Sequence, residues 1–163
     1  MIFLCEGLIE PDDAAALRDR VRPHLQHYDL PDRGRYLVDE THVEAALFAR
    51  LEALAAERLG RPVARAGARW TRFARGDYAL FKDDAFRWRA LRHHAEVCMD
   101  FSAEGSDEGQ IVYTGAGGGG VMPQRPGAGA VVDRRSPIYR YERYLGVRYG
   151  AGEVFRLGLV LNV

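Results

Sequence analysis

Two helix-like stretches come before most of the strand-like stretches of this chain, and that order limits the folds it can adopt. Pro11 is predicted to open the first helix, which ends or kinks near Arg22. Its apolar stripe is Ala14, Leu17, Val21 and Leu25. The second helix is predicted to start at a capping-box pattern in 41–44 and to end at Gly60. Its apolar face is Val43, Leu47, Leu51 and Leu54. Helices followed by strands favour an α+β fold with the helices on one side of a sheet.

The remaining chain alternates strand-like and turn-like segments. A short strand is predicted at 2–4, a loop at 24–39, and a hairpin tip in the glycine-rich run 115–120. Gly76-Asp77 is predicted to form a turn. The other predicted strands are 69–73, the segment after Asp77, 95–101, 110–113, 128–132 and 154–163.

The segment after this turn carries a charged pair. In an extended chain Lys82 and Asp84 point to the same face because they are two residues apart. Burying either charge alone is costly, so the two side chains are expected to interact. The sequence therefore predicts an ion pair at the mouth of a β-structure.

The same stretch resembles the prolyl-hydroxylase-type branch of the iron(II)/2-oxoglutarate oxygenases. Their first metal motif is Gly-Asp, four residues, then His-x-Asp; here Gly76-Asp77 begins it, Asp84 ends it, and Lys82 stands at the histidine position. The resemblance implies a double-stranded β-helix (jelly-roll, cupin-like) with N-terminal helices packed on one sheet. It implies one domain over 1–163, with a helical part at 1–62 and a β-helix core at 69–163.

The resemblance also implies where a second metal histidine would fall. That position is held by Tyr139, or by Tyr144 if the gap lies elsewhere. An ammonium group offers no lone pair, and neutral tyrosine is a poor ligand beside the two histidines and one carboxylate that hold iron(II). We therefore expect no metal ligands and no cofactor. The alternative is Fe(II) with 2-oxoglutarate, with His93 or His94 standing in as a ligand.

Lys82, Asp84 and Tyr139 are accordingly the candidate catalytic residues. Lys82 would supply the positive charge of the missing metal, Asp84 would act as base, and Tyr139 or Tyr141 would donate a proton. Schiff-base chemistry at Lys82 stays open. The alternative is that Lys82 and Asp84 form only a structural ion pair.

Arg156, Tyr141 and Tyr78 are the candidate substrate-binding residues. The resemblance places a carboxylate-clamping basic residue near Arg156, and a guanidinium suits such a bidentate contact. This favours a carboxylate-bearing substrate, whereas the alternative is an internal pair between Arg156 and an acidic residue. Strand alternation places Tyr139 and Tyr141 on one face and Arg140 on the other.

Composition restricts the partners. The formal net charge is zero, which disfavours nucleic acid or a membrane surface as a partner. No signal peptide or membrane-spanning stretch is apparent, so a cytoplasmic protein is expected. Cys98 is predicted to be a buried thiol and not a metal ligand. A small-molecule substrate is the expected partner, and a homodimer is left open.

Three functions follow, in order of preference. The first is a metal-independent enzyme of the lyase, isomerase or cyclase type on an oxygenase-like scaffold. The second is an authentic Fe(II)/2-oxoglutarate hydroxylase with atypical ligands. The third is a pseudoenzyme that binds a ligand or a protein without catalysis. Whether the chain is an enzyme is therefore left open by its sequence.

Overall fold

A computed structural model describes residues 1–32, 34–79, 94–115, 118–142 and 152–163. Two α-helices are present in this part of the chain, α1 over Pro11–Val21 and α2 over Ala45–Leu59. A short 3-10 turn, Arg22–His24, follows α1 and contains the proline that stops it. Gly60 ends α2 in a left-handed conformation with φ 66°, which glycine adopts without a steric penalty.

Eleven strands are defined among the described residues. They are β1 Ile2–Cys5, β2 Gln26–Leu30, β3 Gly34–Asp39, β4 Ala64–Phe73, β5 Tyr78–Ala79, β6 His94–Asp100, β7 Ser106–Gly115, β8 Gly118–Gln124, β9 Gly129–Asp133, β10 Ile138–Glu142 and β11 Val154–Asn162.

These strands form two antiparallel sheets. The larger has the order β1-β9-β6-β11-β4-β3-β2, with β5 pairing to β3, and the smaller has the order β10-β7-β8. Their inner faces share an apolar cluster made of Cys98, Ile111, Tyr113, Met122, Ala130, Val132 and Ile138. The fold is thus α+β with a double-stranded β-helix, as the sequence predicts.

The helices cover the opposite face of the larger sheet. Trp70 on β4 is completely buried there and pairs in register with Leu157 on β11. Phe48 of α2 lies 6.3 Å from the Trp70 ring, and Phe101 lies 5.5 Å from it. The predicted packing of helices on one side of a sheet is confirmed.

The predicted loop at 24–39 is wrong. β2 and β3 form an antiparallel hairpin, and β3 then pairs with β4. Tyr28 and Tyr36 occupy directly opposed positions, with ring centroids 4.9 Å apart. Cross-strand aromatic pairs of this kind stabilise a hairpin even where the other face is polar. Residues 1–62 therefore supply strands as well as helices.

The predicted capping box is also wrong. The Thr41 hydroxyl donates to Asp39 Oδ1 at 2.7 Å and does not cap the helix. The backbone amide of His42 donates to Asp39 Oδ2 at 2.8 Å, so Asp39 organises this turn. The helix begins at Ala45 as a result, and Val43 lies outside it with 61% of its surface exposed.

The turn that opens the charged stretch is confirmed. The Asp77 amide donates to the Ala74 carbonyl at 2.9 Å, and the Ala74 amide donates to Asp77 Oδ2 at 2.8 Å. Gly76 has φ 89°, a conformation in which a side chain would be strained. β5 follows directly, whereas Lys82 and Asp84 lie outside the described residues.

Candidate functional site

Charged side chains occupy the space between the two sheets, beside the apolar cluster. Residues two apart share a strand face, so Glu96, Cys98 and Asp100 on β6 all point inward. Arg140 and Glu142 point inward from β10, and Arg156 does so from β11. Together with Arg134, which follows β9, the five charged residues among these form what we call the interior ion ladder. Its members are Arg134, Glu96, Arg140, Glu142, Arg156 and Asp100.

The first half of the ladder connects the end of β9 to β6 and β10. Arg134 Nη2 lies 2.6 Å from Glu96 Oε2, and its Nη1 donates to the Ile138 carbonyl at 2.6 Å. Arg140 Nη1 lies 3.9 Å from Glu96 Oε1. Burial alone would lower the pKa of Arg140, but Coulombic interactions with neighbouring groups, Cys98 first and then Glu142, raise that pKa well above its usual value. Arg140 therefore stays charged inside the barrel.

The second half connects β10 to β11 and back to β6. Arg140 Nη2 donates to Glu142 Oε1, and Glu142 Oε2 lies 3.6 Å from Arg156 Nη1. Arg156 Nε lies 3.2 Å from Asp100 Oδ2, and its Nη2 donates to the Gly109 carbonyl. The six charges alternate in sign and tie the smaller sheet to the larger one.

Asp100 is the most deeply buried carboxylate of the ladder. Burial raises the pKa of Asp100, and Arg156 together with the Ser102 amide offsets part of that rise. The Ser102 amide donates to Asp100 Oδ1 at 2.8 Å. The Ser102 hydroxyl in turn accepts the Phe155 amide at 3.1 Å, so the anion is anchored to β11 twice.

Cys98 lies next to the ladder. Arg140 Nη2 lies 3.8 Å from its Sγ, and burial raises the pKa of the Cys98 thiol to about 11. A thiol with that pKa is protonated at neutral pH and a weak nucleophile. The predicted buried thiol is confirmed.

The tyrosines of β10 lie on the outer face of the smaller sheet. Tyr139 and Tyr141 are 48% and 46% exposed, and Arg140 between them points inward. The predicted alternation is therefore confirmed. A catalytic role for Tyr139 and a binding role for Tyr141 stay predictions, and either role would be exerted at this outer face. Tyr144 lies outside the described residues.

Arg156 faces the barrel interior, where its charge is already matched. The side chain is 2% exposed and contacts both Asp100 and Glu142. This is the internal pairing that the sequence analysis gives as the alternative to a substrate clamp. A clamp at Arg156 would require one of these carboxylates to give way.

Tyr78 lies away from the ladder. It pairs with Arg35 on β3, and its hydroxyl donates to the Pro31 carbonyl at 3.1 Å. Its role in substrate binding stays a prediction. The structure therefore does not bring Tyr78, Tyr139 and Arg156 together into one constellation.

β10 offers no imidazole ligand to the described part of the interior. Tyr139, one of the two positions that the resemblance gives for the second histidine, lies on the outer face of β10, whereas the inward side chains of that strand are Ile138, Arg140 and Glu142. A guanidinium has five donors and no lone pair, so it cannot replace an imidazole ligand. Within the described ranges no group of three histidine, cysteine or acidic side chains could hold a metal.

The ladder residues other than Arg156 were missed from the sequence. A weak signal existed, because Glu96 and Asp100 share one face of an otherwise apolar strand. Two carboxylates on a buried face require buried cations. Their partners lie 38 to 56 residues further along the chain, and no local pattern identifies them.

The fold and this interior define a protein of the double-stranded β-helix class found in iron(II)/2-oxoglutarate oxygenases. A Pseudomonas putida prolyl-4-hydroxylase is structurally similar to this chain, with TM-score 0.68 and 13% sequence identity. The match covers 99% of this chain and 92% of the hydroxylase. HygX from Streptomyces hygroscopicus, solved with nickel and 2-oxoglutarate, matches 99% and 82% of the two chains, with TM-score 0.64 and 12% identity. The α-ketoglutarate-dependent epimerase SnoN matches 99% and 78%, with TM-score 0.70 and 11% identity.

These likenesses confirm at the level of the fold the resemblance first drawn from Gly76–Asp84. No protein-family model matches the sequence, and no curated protein matches it significantly. Neither α1 nor α2 is long and apolar enough to cross a membrane, and no other helix among the described residues is.

Another carboxylate is held by two arginines, on the outside of the barrel. Glu153 lies just before β11, where Arg22 Nη1 donates to it at 2.9 Å and Arg72 Nε at 2.5 Å. The bond from Arg22 is the main reason that the pKa of Glu153 is lowered from 4.5 to about 2, with Arg72 adding to it. Burial opposes this shift.

We expect the free energy of unfolding of Glu153→Gln to change less with pH in the acid range than that of the wild type. Because the folded pKa lies below the unfolded one, the contribution of Glu153 is complete above pH 4.5 and is lost as the pH falls towards 2. We expect about 1–2 kcal/mol at pH 7, less than full linkage gives because Arg22 is partly exposed. Urea unfolding at pH 7, 5 and 3 measures this. Glu6→Gln, at an exposed pair with Arg125, is the control.

Proposed function

We propose that this protein is a small-molecule enzyme that uses the oxygenase-like fold without iron. Its chemistry would be proton transfer of the lyase, isomerase or cyclase type on a carboxylate-bearing substrate. Lys82 and Asp84 would carry the proton transfers, and Arg156 would lie near the carboxylate. The observation that carries the proposal is the interior ion ladder, which places Arg140 and Glu142 on the inward face of β10, the strand that contains Tyr139.

The ladder supports the loss of iron in two ways. A guanidinium inside the barrel, such as that of Arg140, repels a divalent cation instead of binding it. The ladder also joins β10 to β6 and β11 through its own charges, so the two sheets are connected without a metal. A barrel held together in this way can keep its shape while its chemistry rests on acid and base groups.

The composition of the chain supports a special role for Lys82. Among 23 basic residues Lys82 is the only lysine, and the other 22 are arginines. An ammonium shifts its protonation and transfers protons more readily than a guanidinium, which stays charged. A chain that otherwise uses arginine throughout keeps its single lysine in the stretch that carries the family resemblance.

Hydrogen–deuterium exchange into substrates tests the proposal. Pools of small carboxylic acids are incubated with the protein in D2O, with a chelator present, and deuterium uptake at carbon is followed by mass spectrometry. Abstraction of a C–H proton and its return exchange that proton with solvent. We expect uptake in at least one acid and its loss in Lys82→Ala, with Arg75→Ala as the control that removes a cation just before the turn.

The opposite result is also well defined. Uptake that continues unchanged in Lys82→Ala contradicts the role of the lysine. Turnover that requires iron and converts 2-oxoglutarate to succinate contradicts the metal-independent function. A reductively methylated protein adds a second measurement, because Lys82 gives the only lysine signal in its carbon spectrum and that signal should move when a substrate binds.

A further inference from the structure

The larger sheet ends at β1 on one side and at β2 on the other. β1 lies against β8 of the smaller sheet, where a Cβ atom added to Gly120 would meet Ile2 and Leu4 at 3.6 Å. No strand among the described residues pairs with the outer edge of β2, and four of its five side chains are exposed. The backbone of an edge strand presents N–H and C=O groups with which a further strand can pair. β2 is therefore the edge at which this sheet can be extended.

β2 lacks most of the features that protect an edge strand. Such strands commonly carry a lysine, a proline, a bulge or an inward-pointing charge. β2 has the sequence Gln-His-Tyr-Asp-Leu and pairs with β3 without a register shift. Its single carboxylate, Asp29, is exposed and lies 3.4 Å from Arg35 on β3, and Leu30 is 43% exposed. The edge is regular and partly apolar, which favours strand pairing.

The sequence of β2 is complementary to itself in one register. When two copies pair antiparallel about a two-fold axis at Tyr28, His27 of each copy faces Asp29 of the other. Directly opposed residues have Cβ atoms about 4.5–5.5 Å apart, and opposite charges at such positions are favourable. An axis at His27 or at Asp29 would instead place that residue opposite itself. The charges therefore select the register that is centred on Tyr28.

The other face of the edge carries an aromatic row. The ring centroids of Tyr28 and Tyr36 lie 4.9 Å apart, and those of Tyr36 and Phe73 lie 4.8 Å apart, so the row crosses β2, β3 and β4. In the register centred on Tyr28 this side chain faces Tyr28 of the second copy, and the row continues across the axis. Leu30 shares this face and lies diagonal to Tyr28 of the second copy. The pairing would thus cover an exposed leucine from each copy.

We propose that two copies of this protein associate through β2, antiparallel and centred on Tyr28, so that their larger sheets form one continuous sheet. The partner is a second copy because the charged face and the aromatic face match at the same register. Only one five-residue strand from each copy takes part, so the dimer is weak, with a dissociation constant on the order of micromolar. This association is independent of the proposed chemistry.

Charge reversal in β2 tests the association and its register. Sedimentation velocity is measured over a concentration series for the wild type, His27→Asp and Asp29→Lys. Each variant places like charges opposite each other, so each should weaken the dimer at least about tenfold. An equimolar mixture of the two variants restores opposite charges at both pairs and should dimerise at least as well as the wild type. Asp19→Lys, the same charge change at an exposed site on α1, is the control and should leave the dimer unchanged.

A cysteine on the axis gives a second measurement that also captures a weak dimer. Tyr28→Cys places two thiols in directly opposed positions, within the distance that a disulfide spans. Cys5 and Cys98 are buried, so they do not compete for the cross-link. We expect a cross-linked dimer of Tyr28→Cys under oxidising conditions and much less from Gln26→Cys, which faces Leu30 of the second copy.

Three results would overturn the inference. The first is a protein that stays monomeric at every concentration and gives no Tyr28→Cys cross-link. The second is a wild-type dimer that neither charge reversal weakens, or that Asp19→Lys weakens equally, because association would then use another surface. The third is a mixture of His27→Asp and Asp29→Lys that dimerises no better than either variant alone.

Discussion

Asp100→Ala is expected to lower the free energy of unfolding by about 3–5 kcal/mol. The substitution leaves Arg156 buried without its nearest carboxylate, because the Nε–Oδ2 contact of 3.2 Å is lost. It also leaves the Ser102 amide without the oxygen to which it donates. Urea unfolding at pH 7 measures the loss. The slope of the free energy of unfolding against urea concentration should be the same in both proteins if the substitution changes stability alone.

The matched control is Asp29→Ala, which removes the carboxylate of an exposed pair. Arg35 and Asp29 lie 3.4 Å apart with side chains 62% and 54% exposed. Such a pair is worth about 0–1 kcal/mol, so the control should differ little from the wild type. A loss at Asp100 no larger than the loss at Asp29 would mean that solvent reaches Arg156 and that the ladder is not a buried network.

Trp70→Ala is expected to cost about 3–5 kcal/mol through a different mechanism. The indole is completely buried between the helices and the larger sheet, and its Nε1 donates to the His42 carbonyl at 3.1 Å. Its removal leaves a cavity beside Phe101 and Phe155, whose rings lie 5.5 Å and 6.3 Å from it. Thermal and urea unfolding should both register the loss.

Val43→Ala is the control for this prediction. The sequence pattern places Val43 on the same apolar face as Leu47 and Leu51, yet the structure leaves it 61% exposed. Its truncation should change stability by less than about 0.5 kcal/mol. A Val43 loss as large as that of Trp70 would contradict the observed start of α2 at Ala45.

The contrast between Trp70 and Val43 shows how much of the fold can be predicted from local sequence patterns. Helix spacing, the Gly76-Asp77 turn and strand alternation depend on neighbours in sequence, and they predict the α+β fold correctly. The β2–β3 hairpin was missed although Tyr28 and Leu30 alternate with the polar residues His27 and Asp29. That alternation favours a strand, but the turn residues around Pro31 favour a loop, and the loop was predicted.

The candidate site was less predictable because its contacts are long-range. Arg156 was singled out, and its inward orientation follows from alternation along β11. Its partners could not be derived, since Asp100 is 56 residues away and reaches it only through the β6–β11 register. Arg140 was placed opposite Tyr139 and Tyr141 correctly, but nothing local shows that this opposite face lines the barrel.

The central proposal is that a buried network of paired charges takes the place of an iron ion in this barrel. The most direct test is the metal content of the protein after anaerobic incubation with Fe(II) and 2-oxoglutarate, followed by desalting and mass spectrometry. The account predicts far less than one iron per chain in the wild type. It also predicts that the wild type retains no more iron than the Arg140→Ala variant treated in the same way. One tightly bound iron per chain in the wild type would contradict it.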